Sequence, residues 1–191
     1  MTTSLTPTTR RVLAIGRWAL PLAVALASTA CGKATEMAAE KAIESQLEKD
    51  GQKAKVDLSG STATVSVTDA SGRSSQMQIG GATVTEADLG VPLYPGATAT
   101  ENGSTKVNSP DGTMAMVQLE SRDPADRVAA FYREQLKSRA QGKTFADMAG
   151  GDGATTLILA DEAGKQGIQI QVSKTEGGSA IVISSTRGTP R

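Results

Sequence analysis

From Gly167 to Ser173 apolar and polar residues alternate with a period of two, and this pattern leaves few folds open. Ile168, Ile170 and Val172 alternate with Gln169, Gln171 and Ser173, so a strand over 167–173 turns one apolar and one polar face. Segments 155–160 and 179–185, with their β-branched and apolar runs, read as strands on either side of it. Asp161-Glu162-Ala163-Gly164 and Glu176-Gly177-Gly178 between them have hairpin chemistry. An antiparallel meander with one wet face needs a cover on the other, and the chain supplies one upstream. Ala125, Val128, Phe131, Tyr132 and Leu136 make a broad apolar stripe at helical spacing. Asp123 suits the N-cap of that helix, predicted over 123–140, and Pro124 its first position. Thr113–Glu120 reads as a fourth strand, with Ala115, Val117 and Leu119 on one face and Met114 and Met116 on the other. The second half is thus expected to be a β-α-β-β-β unit, one helix on an antiparallel sheet.

The first half is thinner. Residues 34–50 are rich in helix formers, with Ala39, Ile43 and Leu47 as a narrow stripe; this helix is expected to lie on its own hairpin. Short alternating segments at 56–58, 64–68 and 76–79 are separated by turns at Ser59-Gly60-Ser61 and Asp69-Ala70-Ser71-Gly72. Gly80 to Asp88 reads as a connector, and 98–112 as a polar stretch ending in the Pro110-Asp111-Gly112 turn. The predicted class is α+β: an N-terminal helix with a small β-hairpin or meander, then the β-α-β-β-β unit. The expected divisions are a lipoprotein-type signal peptide (1–30), a helix-and-hairpin subdomain with linker (31–88) and a C-terminal α+β domain (89–191).

The leader assignment rests on order. Arg10, Arg11 and Arg17 precede the apolar run from Trp18 to Ala27, and Ser28-Thr29-Ala30 are small; a positive, then apolar, then small-residue sequence defines an export signal. The apolar run is shorter than the ~20 residues a membrane span takes. Ser28-Thr29-Ala30-Cys31-Gly32 resembles a bacterial lipobox, although Ser28 stands where an aliphatic residue is usual. Ser28 and Ala30 also suit cleavage without lipidation, which would leave a soluble periplasmic protein. Cys31 is the only cysteine, and an exported chain rarely keeps one thiol unpaired. It is therefore the candidate lipidation site, carrying acyl chains such as palmitate. Gly32, where Asp would resemble an inner-membrane retention signal, favours the outer membrane.

Composition removes much chemistry. The chain has no histidine, so triads built on it and the commonest transition-metal ligand are excluded. The chain carries 20 basic and 20 acidic residues, which gives no electrostatic footprint for nucleic acid. Gly142-Lys143-Thr144 lacks the earlier glycine and the preceding strand of a phosphate-binding loop. No Ser-x-x-Lys or Gly-x-Ser-x-Gly motif and no calcium loop occurs. No catalytic, cofactor-binding or metal-ligating residue is assigned, and no cofactor or metal is expected.

Val91-Pro-Leu-Tyr-Pro-Gly-Ala97, followed by Asp123-Pro-Ala-Asp-Arg-Val-Ala-Ala-Phe-Tyr-Arg-Glu-Gln-Leu136, resembles a pattern in small bacterial lipoproteins of unassigned function. These have a P-x-Y-P-G-A segment and then a D-x-x-x-x-V-x-x-F-Y-x-x-x-L helix. The likeness covers most of residues 31–186 and implies a lipid-anchored β-meander protein, with no catalytic residue to transfer. The function expected is that of a non-enzymatic binding or interaction module of the bacterial envelope. Its partners would be a membrane, through the lipid on Cys31, and an envelope protein. The alternative is a periplasmic carrier of a small apolar ligand between helix 123–140 and the sheet, for which the adaptable Met114 and Met116 speak. An enzyme working without histidine is the weakest reading.

Overall fold

The alternating segments all form strands, but they join one sheet. A computed structural model describes residues 32–49, 51–150, 153–161 and 165–189, within a compact unit spanning Cys31–Arg191. In chain order the described elements are α1 (Gly32–Glu48), β1 (Lys53–Ser59), β2 (Thr62–Thr68), β3 (Ser74–Ile79) and α2 (Glu86–Leu89). β4 (Thr98–Ser109), β5 (Gly112–Ser121), α3 (Ala125–Lys137), β6 (Lys143–Ala149), β7 (Thr155–Asp161), β8 (Gln166–Thr175) and β9 (Gly178–Gly188) follow. Among the described residues nine antiparallel strands run in the order β1-β2-β3-β4-β5-β9-β8-β7-β6.

This overturns the predicted fold class. The α+β scheme of a helix with a small hairpin, followed by a separate β-α-β-β-β unit, is replaced by one continuous nine-stranded sheet. Two strands absent from the prediction account for the difference. β4, read as a polar stretch, bridges the halves by pairing with β3 (Met77↔Val107) and with β5 (Lys106↔Ala115). β6, where no strand was expected, extends the far edge by pairing Phe145 with Leu159.

The sheet changes its apolar face midway. On the α3 side, register aligns Val117 and Leu119 of β5 with Ile183 and Ile181 of β9, and these with Ile170 and Val172 of β8. Leu157 and Leu159 of β7 continue the layer. α3 lays Val128, Ala129, Tyr132 and Leu136 against it, each at most 3% exposed. Burying such a set supplies the main driving force for folding. On the same face of β1–β4 the residues are polar, including Lys55, Ser66, Gln78 and Lys106. The apolar set of those strands (Val56, Val65, Met77 and Val107) turns to the opposite face. Met114 and Met116 share that opposite face, away from α3.

α3 begins one residue later than the prediction. Pro124 is the N-cap, with no side-chain capping bond, because the Asp123 carboxylate is engaged elsewhere. α2 forms where a connector was expected. Thr85 and Asp88 make a reciprocal capping box, and Gly90 closes the turn at φ 75°. Asp88 also meets Lys106 of β4 at 2.8 Å, with about a quarter of each side chain exposed. The hydrogen bond from Lys106, then those from the Thr85 amide and hydroxyl, lower the Asp88 carboxyl from 3.8 to about 2.

A carboxyl lowered in the folded chain contributes stability above its ordinary value, and that contribution is lost as pH falls towards 2. Urea unfolding at pH 5 and at pH 2.5 should therefore show Asp88→Asn less stable than the wild type at pH 5, by about 1–2 kcal/mol. The gap should narrow to roughly a third of that at pH 2.5. A pH-independent gap would contradict the assignment.

Candidate functional site

The segment after α2 is extended because Pro92 and Pro95 fix φ and withhold backbone donors, and it closes in a turn with Gly96 at φ 77°. This turn carries Tyr94 into the helix layer, where the ring meets Phe131 edge-on at 5.2 Å and Tyr132 at 6.4 Å. Its hydroxyl donates to Asp123 Oδ2 at 2.6 Å, while Arg127 donates to Oδ1 at 3.1 Å. The Asp123 backbone carbonyl accepts from the hydroxyl of Ser179, which is 1% exposed. The bond to the carboxylate, then burial, raises the Tyr94 phenol above its ordinary value. Tyr94 and Asp123 therefore tie the two halves of the P-x-Y-P-G-A and D-x-x-x-x-V-x-x-F-Y motif together. Their role in this fold is structural.

The middle of the layer is full. Tyr132, Leu136, Leu157, Ile170, Ile181 and Ile183 are fully buried, and among the described residues room for a ligand lies at the two ends. Tyr132 places its Oη in this interior, and burial pushes its phenol well up.

At the N-terminal end of α3 a cleft of about 790 Å³ is lined by Pro95, Gly96, Glu120, Arg122, Asp123 and Thr175, among others. Its lining mixes carboxylates with one guanidinium. At the other end a smaller recess of about 240 Å³ has Leu159 and Ile168 in its lining, with Ser185 beside them and Arg139, Lys143 and Arg187 around them. Three separate elements converge here: the turn after α3, the start of β6 and the end of β9. Arg187 donates to the Ala87 carbonyl of α2. Arg139 donates to Gln135 Oε1 at 2.9 Å. Asp161 stands across the ladder from Lys143, but its Oδ1 accepts from the Lys165 amide at 2.8 Å. No carboxylate lines the recess among the described residues. Apolar floor and cationic rim together suit a molecule with an apolar part and an anionic end.

Cys31, the one predicted site residue, lies outside the described residues. Met114 and Met116, the motive for placing a ligand under α3, face away from that helix. The cationic rim was missed because Arg187 lies far in sequence from Arg139 and Lys143. Among the described residues no cluster of three or more acidic side chains fit to hold a metal ion occurs.

A family model described as START domain-like matches residues 98–186, the stretch from β4 to β9 that contains α3 and its sheet. Domains of that kind have a helix-grip architecture and are typically ligand-binding modules, not enzymes. No curated protein and no solved structure matches the chain.

Proposed function

We propose that this chain is a non-enzymatic binding module of the bacterial envelope, anchored by lipid on Cys31 at the periplasmic face of the outer membrane, that takes an amphipathic anion at the Arg139–Arg187 end of the α3 layer. The observation that carries this reading is the convergence of Arg139, Lys143 and Arg187 around Leu159 and Ile168. The START domain-like match over 98–186 supports ligand binding by the same half of the chain. The ligand sits at the end of the layer and not beneath α3, where side chains already fill the space. A second reading, docking of an envelope protein, is favoured by Met77, Ile79 and Met114, which are 37–45% exposed on the open half of the sheet.

Titration of the purified chain with octanoate and with uncharged octanol tests the ligand. Octanoate should bind at least about tenfold more tightly, and Lys143→Ala should weaken octanoate about tenfold, as loss of a charge-assisted contact implies. Equal binding of the acid and the alcohol would sink the anion site. Intact mass of the chain isolated from a bacterial host tests the anchor: a diacylglyceryl group on an N-terminal Cys31 is expected, and a free thiol there would remove it.

A further inference from the structure

α1 meets the hairpin through more than its apolar stripe, of which Ala39 and Leu47 are half-buried. Ile43 of that stripe is 41% exposed. The glutamates of α1 make the further contact: Glu36, Glu40 and Glu44 accept hydrogen bonds from the backbone N–H groups of Gly60, Leu58 and Val56 at 3.2, 2.7 and 2.8 Å. Four residues of helix rise about 6 Å and two residues of strand about 6.7 Å, so side chains at every fourth helical position keep step with every second strand amide. These amides point away from β2, along the outer edge of the sheet. A free edge of this kind is a template for another strand. The opposite edge, β6, carries a different device: its Asp147 turns to the α3 side and pairs with Arg133 at 2.6 Å.

The edge that α1 covers is self-complementary. In Lys53-Ala-Lys-Val-Asp-Leu-Ser59, antiparallel pairing of two copies about Val56 sets Lys55 of each copy opposite Asp57 of the other. Ala54 then stands opposite Leu58, and Lys53 opposite Ser59. The outward-pointing amides of Val56 and Leu58 fall at positions where such a pair exchanges backbone hydrogen bonds, and the two opposite-charge pairs face one another directly. We infer that β1 is a latent homodimer edge, with a second copy of this chain as its partner, and that the Glu36-Glu40-Glu44 row of α1 holds it closed by occupying its donors. Release of α1 joins two sheets across a two-fold axis at Val56.

Sedimentation of the chain in reducing buffer tests this directly. The wild type should be monomeric, and Glu36→Ala/Glu40→Ala/Glu44→Ala should self-associate to a dimer at least about tenfold more tightly. Adding Lys55→Asp, which sets acid against acid, should undo that gain, and adding Asp57→Lys as well should restore it. A folded triple variant that stays monomeric, or a dimer indifferent to Lys55→Asp, overturns the proposal, as does a wild type already dimeric through β1. Should the triple variant fail to fold, amide hydrogen exchange decides on Glu40→Ala alone. Exchange at Leu58 should rise at least about tenfold over the wild type while Val56 is unmoved, and unchanged exchange at Leu58 overturns the proposal.

Discussion

Gly178→Ala is expected to cost about 3 kcal/mol or more of unfolding free energy, with a matching fall in the urea midpoint. The residue sits at φ +146°, and a Cβ there would fall 2.1 Å from the Ser121 carbonyl oxygen and 2.8 Å from Arg122 backbone atoms. Neither neighbour can give way, since both belong to the backbone where β5 ends against β9, at the pair Ser121↔Ser179. Strained φ and steric overlap act together. Gly177→Ala, one residue earlier, is the control. Nothing lies within 4 Å of its would-be Cβ, and its cost should stay within about 0.5 kcal/mol. Equal losses in the two variants would show that the turn, and not the approach of β9 to Ser121, sets the effect.

Asp123→Ala should be the costliest polar substitution, at about 2–3 kcal/mol. It removes a carboxylate acceptor from a buried tyrosine and leaves the Tyr94 hydroxyl without its partner. Tyr94→Phe removes the donor instead and should cost less, because Asp123 keeps Arg127. A double-mutant cycle measured by urea unfolding should return a coupling of about 1–2 kcal/mol. A coupling near zero would mean that the 2.6 Å contact contributes nothing and that the two halves of the motif are joined by ring packing alone.

The helix-side core was readable because its alternation is uninterrupted: Ile168, Ile170 and Val172 could face only one way. β4 was not, because Thr98–Ser109 has almost no apolar residue to alternate. Inside a sheet whose apolar face changes sides, such a strand needs none, and its pairing with β3 and β5 supplies its stability. The change of face defeats any scheme that assigns one wet side to the whole sheet. α2 could have been found, since Thr85-Glu-Ala-Asp88 has the spacing of a capping box ahead of Leu89. The role of α1 lay beyond hydropathy, for Ala39, Ile43 and Leu47 and the glutamate row share one spacing, and hydrogen bonds to β1 turn the glutamate row inward as well. The cationic recess was invisible for a topological reason. Arg187 joins Arg139 and Lys143 only because the sheet order returns from β9 through β8 and β7 to β6.

The place of β9 in that order governs how the chain can be made. β5 and β9 pair along their whole length, from Gly112↔Gly188 to Ser121↔Ser179, so the centre of the sheet unites two strands far apart in sequence. A chain emerging from its N-terminus presents Ala115, Val117 and Leu119 long before Ile183 and Ile181 exist to cover them. Non-local closure of this kind is slow and leaves an apolar strand open to wrong partners in the interval. β5 therefore stays uncovered until β9 is made, and a chain cut short before β9 would lack the strand that joins β5 to β8.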